Sequence, residues 1–157
     1  YADEMRLLVD AGCDAAAACD GGLTVMDHAL VSRNPDAVLV ALGIGVDRAE
    51  PGSAVVRMRV RENMVNGAGV THGGMIFTLA DAAIALASNH TPDAALVAGA
   101  DIVFLTPSHE GDELVAVAEQ RAVSGRTALY DARVLADGRV IAEVRGRVRR
   151  PRPLPGQ

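Results

Sequence analysis

The chain has 157 residues, half of them apolar and 22% charged, a composition that favours one globular domain with a modest core over a disordered chain. All 15 basic residues are arginine, which excludes chemistry that requires a lysine, such as a Schiff base or a phosphate-binding P-loop. The net charge of -5 and the scarcity of aromatic side chains argue against a nucleic-acid partner. We therefore expect the partner to be a small molecule or a second copy of the chain.

The first 34 residues differ from the rest of the chain. Their middle is rich in alanine and holds both cysteines, Cys13 and Cys19, without a sustained apolar period. Because no histidine or third cysteine stands beside them, they predict plain thiols, and we expect no metal site. A leader-like basic start with an apolar run is absent, and so is a membrane span, so we expect a cytoplasmic protein. Residues 1–34 are predicted to be an N-terminal extension, partly helical or disordered, and residues 151–157 a C-terminal tail.

A short helix and two strands open the main part of the chain. Pro35 in the first turn and Gly43 at the end predict a helix over residues 35–42. A two-residue period follows, which is typical of strands with one buried face. Its apolar positions are Ile44, Val46, Val56, Met58 and Val60. A turn at Pro51-Gly52 divides these positions into two antiparallel strands.

A long helix follows the glycine-rich stretch in the centre of the chain. From Gly73 to Asn89 the apolar residues recur at helical spacing and charge is almost absent. These apolar positions are Ile76, Leu79, Ala80, Ala83, Ile84 and Ala87. A helix of this composition is expected to lie buried, and Pro92 terminates it.

Four more strands are predicted, at about residues 95–105, 113–123, 127–135 and 140–148. Asp137-Gly138 is a two-residue hairpin signal that needs positive φ, and we expect the four strands to form an antiparallel meander. The order of helix, two strands, long helix and four strands predicts an α+β domain. Its antiparallel sheet of five to six strands would wrap around the one long buried helix.

Asp81 is the first candidate for chemistry. It is the only ionisable side chain between Gly73 and Asn89, and burying a carboxylate in such a helix costs free energy or raises its pKa. Buried titrating groups cluster at functional sites. The alternative is that Asp81 lies on a solvated stripe of the helix or caps a neighbouring loop.

The stretch before the helix is the second candidate. Its glycines leave backbone N–H groups bare at the positive end of the helix dipole, where an oxyanion can bind. The alternatives are that Gly73 and Gly74 only permit a tight turn and close helix packing, and that His72 is a capping or core histidine. The combination of glycines, histidine and carboxylate favours a site.

These residues match a known pattern. The run NGAGVTHGGMIFTLAD, from Asn66 to Asp81, is followed by Ala87-Ser88-Asn89, and later come the segments DIVFLTP, EGD and GRT. Together they resemble the signature of the phenylacetate-degradation-type (PaaI-like) acyl-CoA thioesterases of the hotdog fold. The resemblance spans residues 35–150, which are predicted to be one hotdog thioesterase domain.

The resemblance implies a role for each matching residue. Asp81 would be the catalytic carboxylate, attacking the thioester carbonyl or activating a water for that attack. The N–H of Gly73 would stabilise the oxyanion, and Gly74 would bind substrate beside it. Asn66 would orient the water or the carbonyl, and His72 would support the loop. The site would form between two subunits, so we expect a homo-oligomer, a dimer at least and a tetramer of two dimers by the resemblance.

The implied substrate is an acyl-CoA with a small or medium acyl group, such as the aryl-acetyl group of phenylacetate degradation, hydrolysed to free acid and CoA. Arg126, in the Gly-Arg-Thr segment, is the candidate for binding the CoA phosphates. No cofactor or metal is expected, since CoA is part of the substrate.

Two alternatives stay open. Several members of the family carry a hydroxyl residue on the strand after the helix, where this chain has Val97-Ala98-Gly99, so the chain could be a non-catalytic acyl-CoA-binding or regulatory hotdog protein. A hotdog dehydratase is less favoured, because such enzymes place the catalytic histidine in a His-Phe-Pro setting and His72 precedes two glycines.

Overall fold

The computed structural model describes residues 35–89 and 95–150. The predicted N-terminal extension, the C-terminal tail and the helix stop at Pro92 lie outside the described residues, and so do both cysteines. Within the described ranges no helix is long and apolar enough to cross a membrane.

Helix α1 (Pro35–Leu42) belongs to the first of two compact units, which ends at Gly45. Its C-terminus is closed by two main-chain hydrogen bonds, from the Gly43 N–H to the Val40 carbonyl over 3.0 Å and from the Ile44 N–H to the Leu39 carbonyl over 2.8 Å. Gly43 has φ +66°, a conformation that favours glycine. The predicted helix over residues 35–42 is confirmed, together with its glycine stop.

The second compact unit begins at Val46 and contains one long helix and a sheet. The long helix is α2 (Gly73–Ser88). The strands are β1 (Gly45–Glu50), β2 (Ser53–Arg59), β3 (Leu96–Phe104), β4 (Glu113–Ser124), β5 (Thr127–Ala136) and β6 (Arg139–Arg149). They form a six-stranded sheet in which β1 and β3 are the two edges, because its order is β1-β2-β4-β5-β6-β3. The predicted number of strands and their positions are confirmed.

The predicted four-stranded meander is wrong at β3. Strands β4, β5 and β6 follow one another as expected, but β3 pairs antiparallel with β6 and not with β4. The loop at residues 105–112 that joins β3 to β4 is longer than a hairpin turn. Its eight residues can span about 26 Å, enough to pass the ends of two intervening strands at roughly 5 Å each.

Helix α2 packs on the sheet through one apolar face. All six apolar positions predicted from the helical spacing are buried. A Cβ at Gly146 of β6 would lie 2.9 Å from Cδ1 of Ile84, so glycine at this position lets α2 approach the sheet closely. The two-residue period is confirmed in β2, where Val56 and Met58 are buried. It is wrong in β1, where Val46 is 46% exposed because an edge strand has a neighbour on one side only.

Candidate active site

Two loops are tied together before α2 begins. The buried Ser108 hydroxyl donates to the hydroxyl of buried Thr71 over 2.8 Å, and the Thr71 N–H donates to the Ser108 carbonyl over 2.8 Å. Main-chain bonds add to this link, from the Val60 N–H to the Asp112 carbonyl and from the Gly111 N–H to the Val60 carbonyl. Since unpaired buried hydroxyls cost free energy, these pairs hold the loop before α2 in register with the loop after β3.

His72 is the N-cap residue of α2. Its Nδ1 accepts a hydrogen bond from the Gly74 N–H over 3.1 Å, and its carbonyl accepts from the Met75 N–H over 2.9 Å. An accepting Nδ1 carries no hydrogen, so the neutral ring carries its hydrogen on Nε2, and the side chain is exposed. The Thr78 hydroxyl donates to the Gly74 carbonyl over 2.8 Å. Both peptide groups of Gly74 are therefore fixed, and its N–H is already used within the chain.

Gly73 is the first residue of α2, and its N–H has no hydrogen-bond partner among residues 35–89 and 95–150. A Cβ on Gly73 would lie 2.9 Å from Cζ of Phe104 and 3.4 Å from both Cε atoms, so the tip of the ring faces the bare Cα. The unpartnered donor at the positive end of α2 thus has an aromatic ring beside it. The oxyanion role of Gly73 stays a prediction.

Asn66 is exposed in the loop before α2 and stabilises its own turn. Its Oδ1 accepts from the Ala68 N–H over 2.9 Å and, more weakly, from the Val70 N–H over 3.4 Å. Two N–H donors on one side-chain atom identify that atom as oxygen, so the outward atom is the Nδ2 amide. Asn66 can therefore only donate to a ligand from this position.

Asp81 lies on a half-exposed stripe of α2 that runs through Gly74, Thr78 and Ala85. Burial raises the pKa of its carboxyl, and no hydrogen bond or ion pair to it occurs within the described part of the chain. The solvated-stripe alternative is thus only partly correct, because the side chain is half-buried. A carboxylate in this setting is poorly solvated, and poor solvation makes it a stronger base.

Gly73 and Asp81 are too far apart to act on one carbonyl group within one chain. They are eight residues apart on α2, which corresponds to about 12 Å along the helix axis. A reacting group must approach to roughly 3 Å. The structure brings Gly73, Gly74, His72 and Asn66 together at one end of α2 and places Asp81 near its middle.

Arg126 lies at the other end of α2, in the turn between β4 and β5. It lines a surface pocket with Arg150, Tyr130 and Ser88, the last residue of α2. Burial raises the pKa of the Tyr130 hydroxyl, and the cation of Arg150 partly offsets this effect. Two guanidinium groups therefore flank one pocket.

Three arginines in or just after β6 differ in their partners. Arg145 forms a two-pronged ion pair with Asp131, which lowers the pKa of that carboxyl, and Arg147 pairs with Asp101 over 2.7 Å. These two arginines belong to paired, solvent-facing positions of the sheet. Arg150, just beyond the strand, lines the pocket with Arg126.

Sequence reasoning did not single out Phe104 or Ser108. Both lie far along the chain from the residues they contact, so no local spacing could reveal them. The matching segment DIVFLTP contains Phe104 and was a signal for the first of them.

Comparison with known proteins places this geometry in a family. A family model described as "Thioesterase superfamily" matches residues 68–150. Acyl-coenzyme A thioesterase PaaI of Escherichia coli is 40% identical over 108 residues, which are 69% of this chain and 76% of that protein. The chain belongs to the thioesterase superfamily. This result confirms the resemblance predicted from the run between Asn66 and Asp81.

The solved structures agree with this membership of the thioesterase superfamily. The structure of E. coli PaaI from the phenylacetic acid degradation operon superimposes with a TM-score of 0.72 at 36% identity, covering 80% of this chain and 90% of that one. The protein smu.793 from Streptococcus mutans, solved bound to acetyl CoA, superimposes with a TM-score of 0.66 at 25% identity, covering 69% and 88%. The predicted hotdog fold and the predicted class of thioester hydrolase are confirmed.

Within residues 35–89 and 95–150, no group of three or more His, Cys, Asp or Glu side chains is arranged to hold a metal ion.

Proposed function

We propose that the protein is an acyl-CoA thioesterase that hydrolyses small or medium acyl-CoA esters, phenylacetyl-CoA among them, to the free acid and CoA. The observation that carries this proposal is Asp81, a half-buried carboxylate without a partner among the described residues, in the matching run of a thioesterase-superfamily chain. A binding protein gains nothing from a desolvated charge in an apolar helix, whereas a hydrolase needs one.

Asp81 supplies the reactive oxygen or base. As a nucleophile it would attack the thioester carbonyl, expel CoA as a thiolate and leave a mixed anhydride for water to hydrolyse. As a general base it would take a proton from a water that attacks the same carbon, and CoA would again leave. Both routes require an ionised carboxylate and no cofactor, and CoA enters only as part of the substrate.

Around the carbonyl, the Gly73 N–H is the proposed oxyanion donor because it is unpartnered and stands at the helix N-terminus. The Nδ2 amide of Asn66 is a second donor, free to orient the carbonyl because Oδ1 is used in its own turn. His72 holds the first turn of the helix. The N–H of Gly74 already donates to His72, so Gly74 would aid substrate binding only by leaving space where a side chain would otherwise stand.

A complete site requires two chains, because about 12 Å of helix separate Gly73 from Asp81. The free edge of β3 is the proposed docking surface for the second copy. It is nine residues long and exposes apolar side chains at both of its ends, Leu96 near the C-terminal end of α2 and Val103 near the Gly73 end, with Leu105 just after the strand. The opposite edge, β1, is shorter and carries Asp47, Arg48 and Glu50. We therefore propose a dimer at least, with the tetramer suggested by the resemblance as two such dimers.

The pocket between Arg126 and Arg150 is the proposed site for the CoA phosphates. An acidic protein needs such a local positive charge to bind phosphates. The S. mutans neighbour was solved bound to acetyl CoA, which supports a CoA ester as the ligand of this fold.

Replacing both arginines by alanine is expected to raise KM for acyl-CoA about tenfold or more, because each charge-assisted hydrogen bond contributes roughly 1.5–3 kcal/mol. KM for the matching acyl-pantetheine, which has no phosphate, should stay unchanged. Steady-state kinetics on both substrates measure the difference, with Arg139→Ala in the exposed β5–β6 hairpin as the control. An equal rise for both substrates would place the phosphates elsewhere.

The direct test is thiol release from a panel of acyl-CoA esters, from acetyl through phenylacetyl to long-chain. We expect release, fastest for small or medium acyl groups. Binding of CoA esters without thiol release from any of them would refute the hydrolase and favour the non-catalytic acyl-CoA-binding protein. The absence of hydrolysis would then be explained by the missing hydroxyl on the strand after the helix, where the chain has Val97, Ala98 and Gly99.

A further inference from the structure

Phe104 is the last residue of β3 and is 50% exposed, which is unusual for a phenylalanine at the end of an element packed on the central helix. The tip of its ring faces the Cα of Gly73, whose N–H has no partner among the described residues. About half of its surface is left uncovered by the described part of the chain.

Two features hold the ring in this place. The absence of a side chain at Gly73 makes room for it, because any Cβ there would come within 2.9 Å of Cζ. The hydroxyl pair of Thr71 and Ser108 ties the loop after β3 to the loop before α2, so the ring and the helix start keep their relative positions. The ring is thus a fixed wall rather than a loose surface group.

The apolar character of the Phe104 ring indicates which part of a substrate it would contact. An aromatic ring, followed by the exposed Leu105, offers no partner to the polar pantetheine arm or to phosphates. Of the two groups on a thioester carbonyl, the sulfur with its methylenes is the same in every CoA ester and only the acyl chain differs, so an apolar wall discriminates among substrates through the acyl chain. A thioester whose carbonyl oxygen binds the Gly73 N–H would lie at the end of α2 that the ring of Phe104 faces.

We propose that Phe104 sets the acyl specificity of the enzyme: its ring closes the acyl side of the site beside Gly73 and limits the substrate to compact acyl groups. This inference rests on the proposed thioesterase function. It extends that function to a residue outside the matching run between Asn66 and Asp81.

The test compares kcat/KM for octanoyl-CoA and butyryl-CoA on each preparation of wild type, Phe104→Leu and Phe104→Ala. The ratio of the two values does not depend on the fraction of folded or correctly assembled enzyme, so a partly destabilised variant still reports specificity. Removing the ring is expected to raise the octanoyl-to-butyryl ratio about tenfold or more in Phe104→Ala and by less in Phe104→Leu, since one methylene in an apolar pocket changes discrimination by roughly 10-fold to 200-fold.

Val46→Ala is the control, because it trims a similarly exposed apolar side chain on the opposite edge of the sheet. Its ratio should match wild type. An unchanged ratio in both Phe104 variants, with active wild type, would overturn the specificity role and leave the thioesterase intact. If wild type releases no thiol from any ester, the proposed function fails, and the specificity role fails with it. If Phe104→Ala loses all activity, the test rests on Phe104→Leu alone. A raised octanoyl-to-butyryl ratio in that variant supports the specificity role, and an unchanged ratio overturns it.

Discussion

Replacing Asp81 by asparagine is expected to lower thiol release by about a hundredfold or more, with KM little changed. Asparagine keeps the shape of the side chain but can neither accept a proton nor attack a carbonyl, and a lost general base or nucleophile costs roughly 10²–10⁴ in rate. Thiol release on the best acyl-CoA measures the loss. The size of this effect would place the reaction on Asp81.

The matched control is Asp137→Asn, which makes the same change in an exposed hairpin. Asp137 has φ 50°, a conformation that asparagine tolerates, so this variant should keep wild-type activity. A wild-type rate in Asp81→Asn would remove this carboxylate from the mechanism.

The pH dependence of wild type follows from the same desolvation. Burial raises the pKa of Asp81 and the reaction needs the ionised form, so kcat/KM should fall as pH decreases through that raised pKa. The acid limb should therefore lie above pH 4, about where a solvated aspartate ionises.

The free energy of unfolding has the opposite dependence on pH, because a carboxyl with a raised folded-state pKa costs stability once it ionises. Asp81→Asn should then be more stable than wild type at neutral pH in urea unfolding, with the advantage shrinking towards acid pH.

Two inactive variants are expected to restore activity when they assemble with each other. Gly73→Pro removes the proposed oxyanion N–H, and losing one such donor costs about 10²–10³ in rate. The backbone at this position accepts proline, because Gly73 opens the helix and His72 before it has φ -62° and ψ 129°. The Cβ of proline would lie 2.9 Å from Cζ of Phe104, so the ring must shift, and size-exclusion chromatography of this variant checks that it still assembles.

A heterodimer of Asp81→Asn and Gly73→Pro chains, isolated through two different affinity tags, contains one site with both changes and one with neither. It should recover about half of the wild-type rate, since an isologous dimer has two equivalent sites. The control pairs a wild-type chain with a chain that carries both changes, which leaves each site with one defect and predicts almost no activity. A heterodimer as inactive as its parents, with a half-active control, would show that each site uses a single chain.

The sequence alone predicted the elements with good accuracy, because their signals are local. Pro35 and Gly43 mark the ends of α1. In α2, each of the six apolar positions predicted from the helical spacing is buried. The hairpin signal of Asp137 and Gly138 is confirmed by their positive φ angles. The matching run from Asn66 to Asp81 also predicted the family, because its residues are consecutive in the sequence and can be recognised without the structure.

The roles within the site were less accessible. The sequence singled out Asn66, His72 and Gly74 but not which of their atoms remain available to a ligand. Only the hydrogen bonds show that Oδ1 of Asn66 and the N–H of Gly74 are already used. Only the structure shows that Asp81 is half-buried, between the buried carboxylate and the solvated stripe that the sequence left open.

The tertiary structure alone decided what meets across the fold. The pairing of β3 with β6, the ring of Phe104 against Gly73 and the buried pair of Thr71 and Ser108 join positions that are 31 or more residues apart. Periodicity states which face of an element is buried, because that depends on neighbours three or four positions away on a helix and two on a strand. It does not state which element covers that face, because many pairings bury the same apolar area and the choice among them is made by loop length, packing and the satisfaction of buried polar groups.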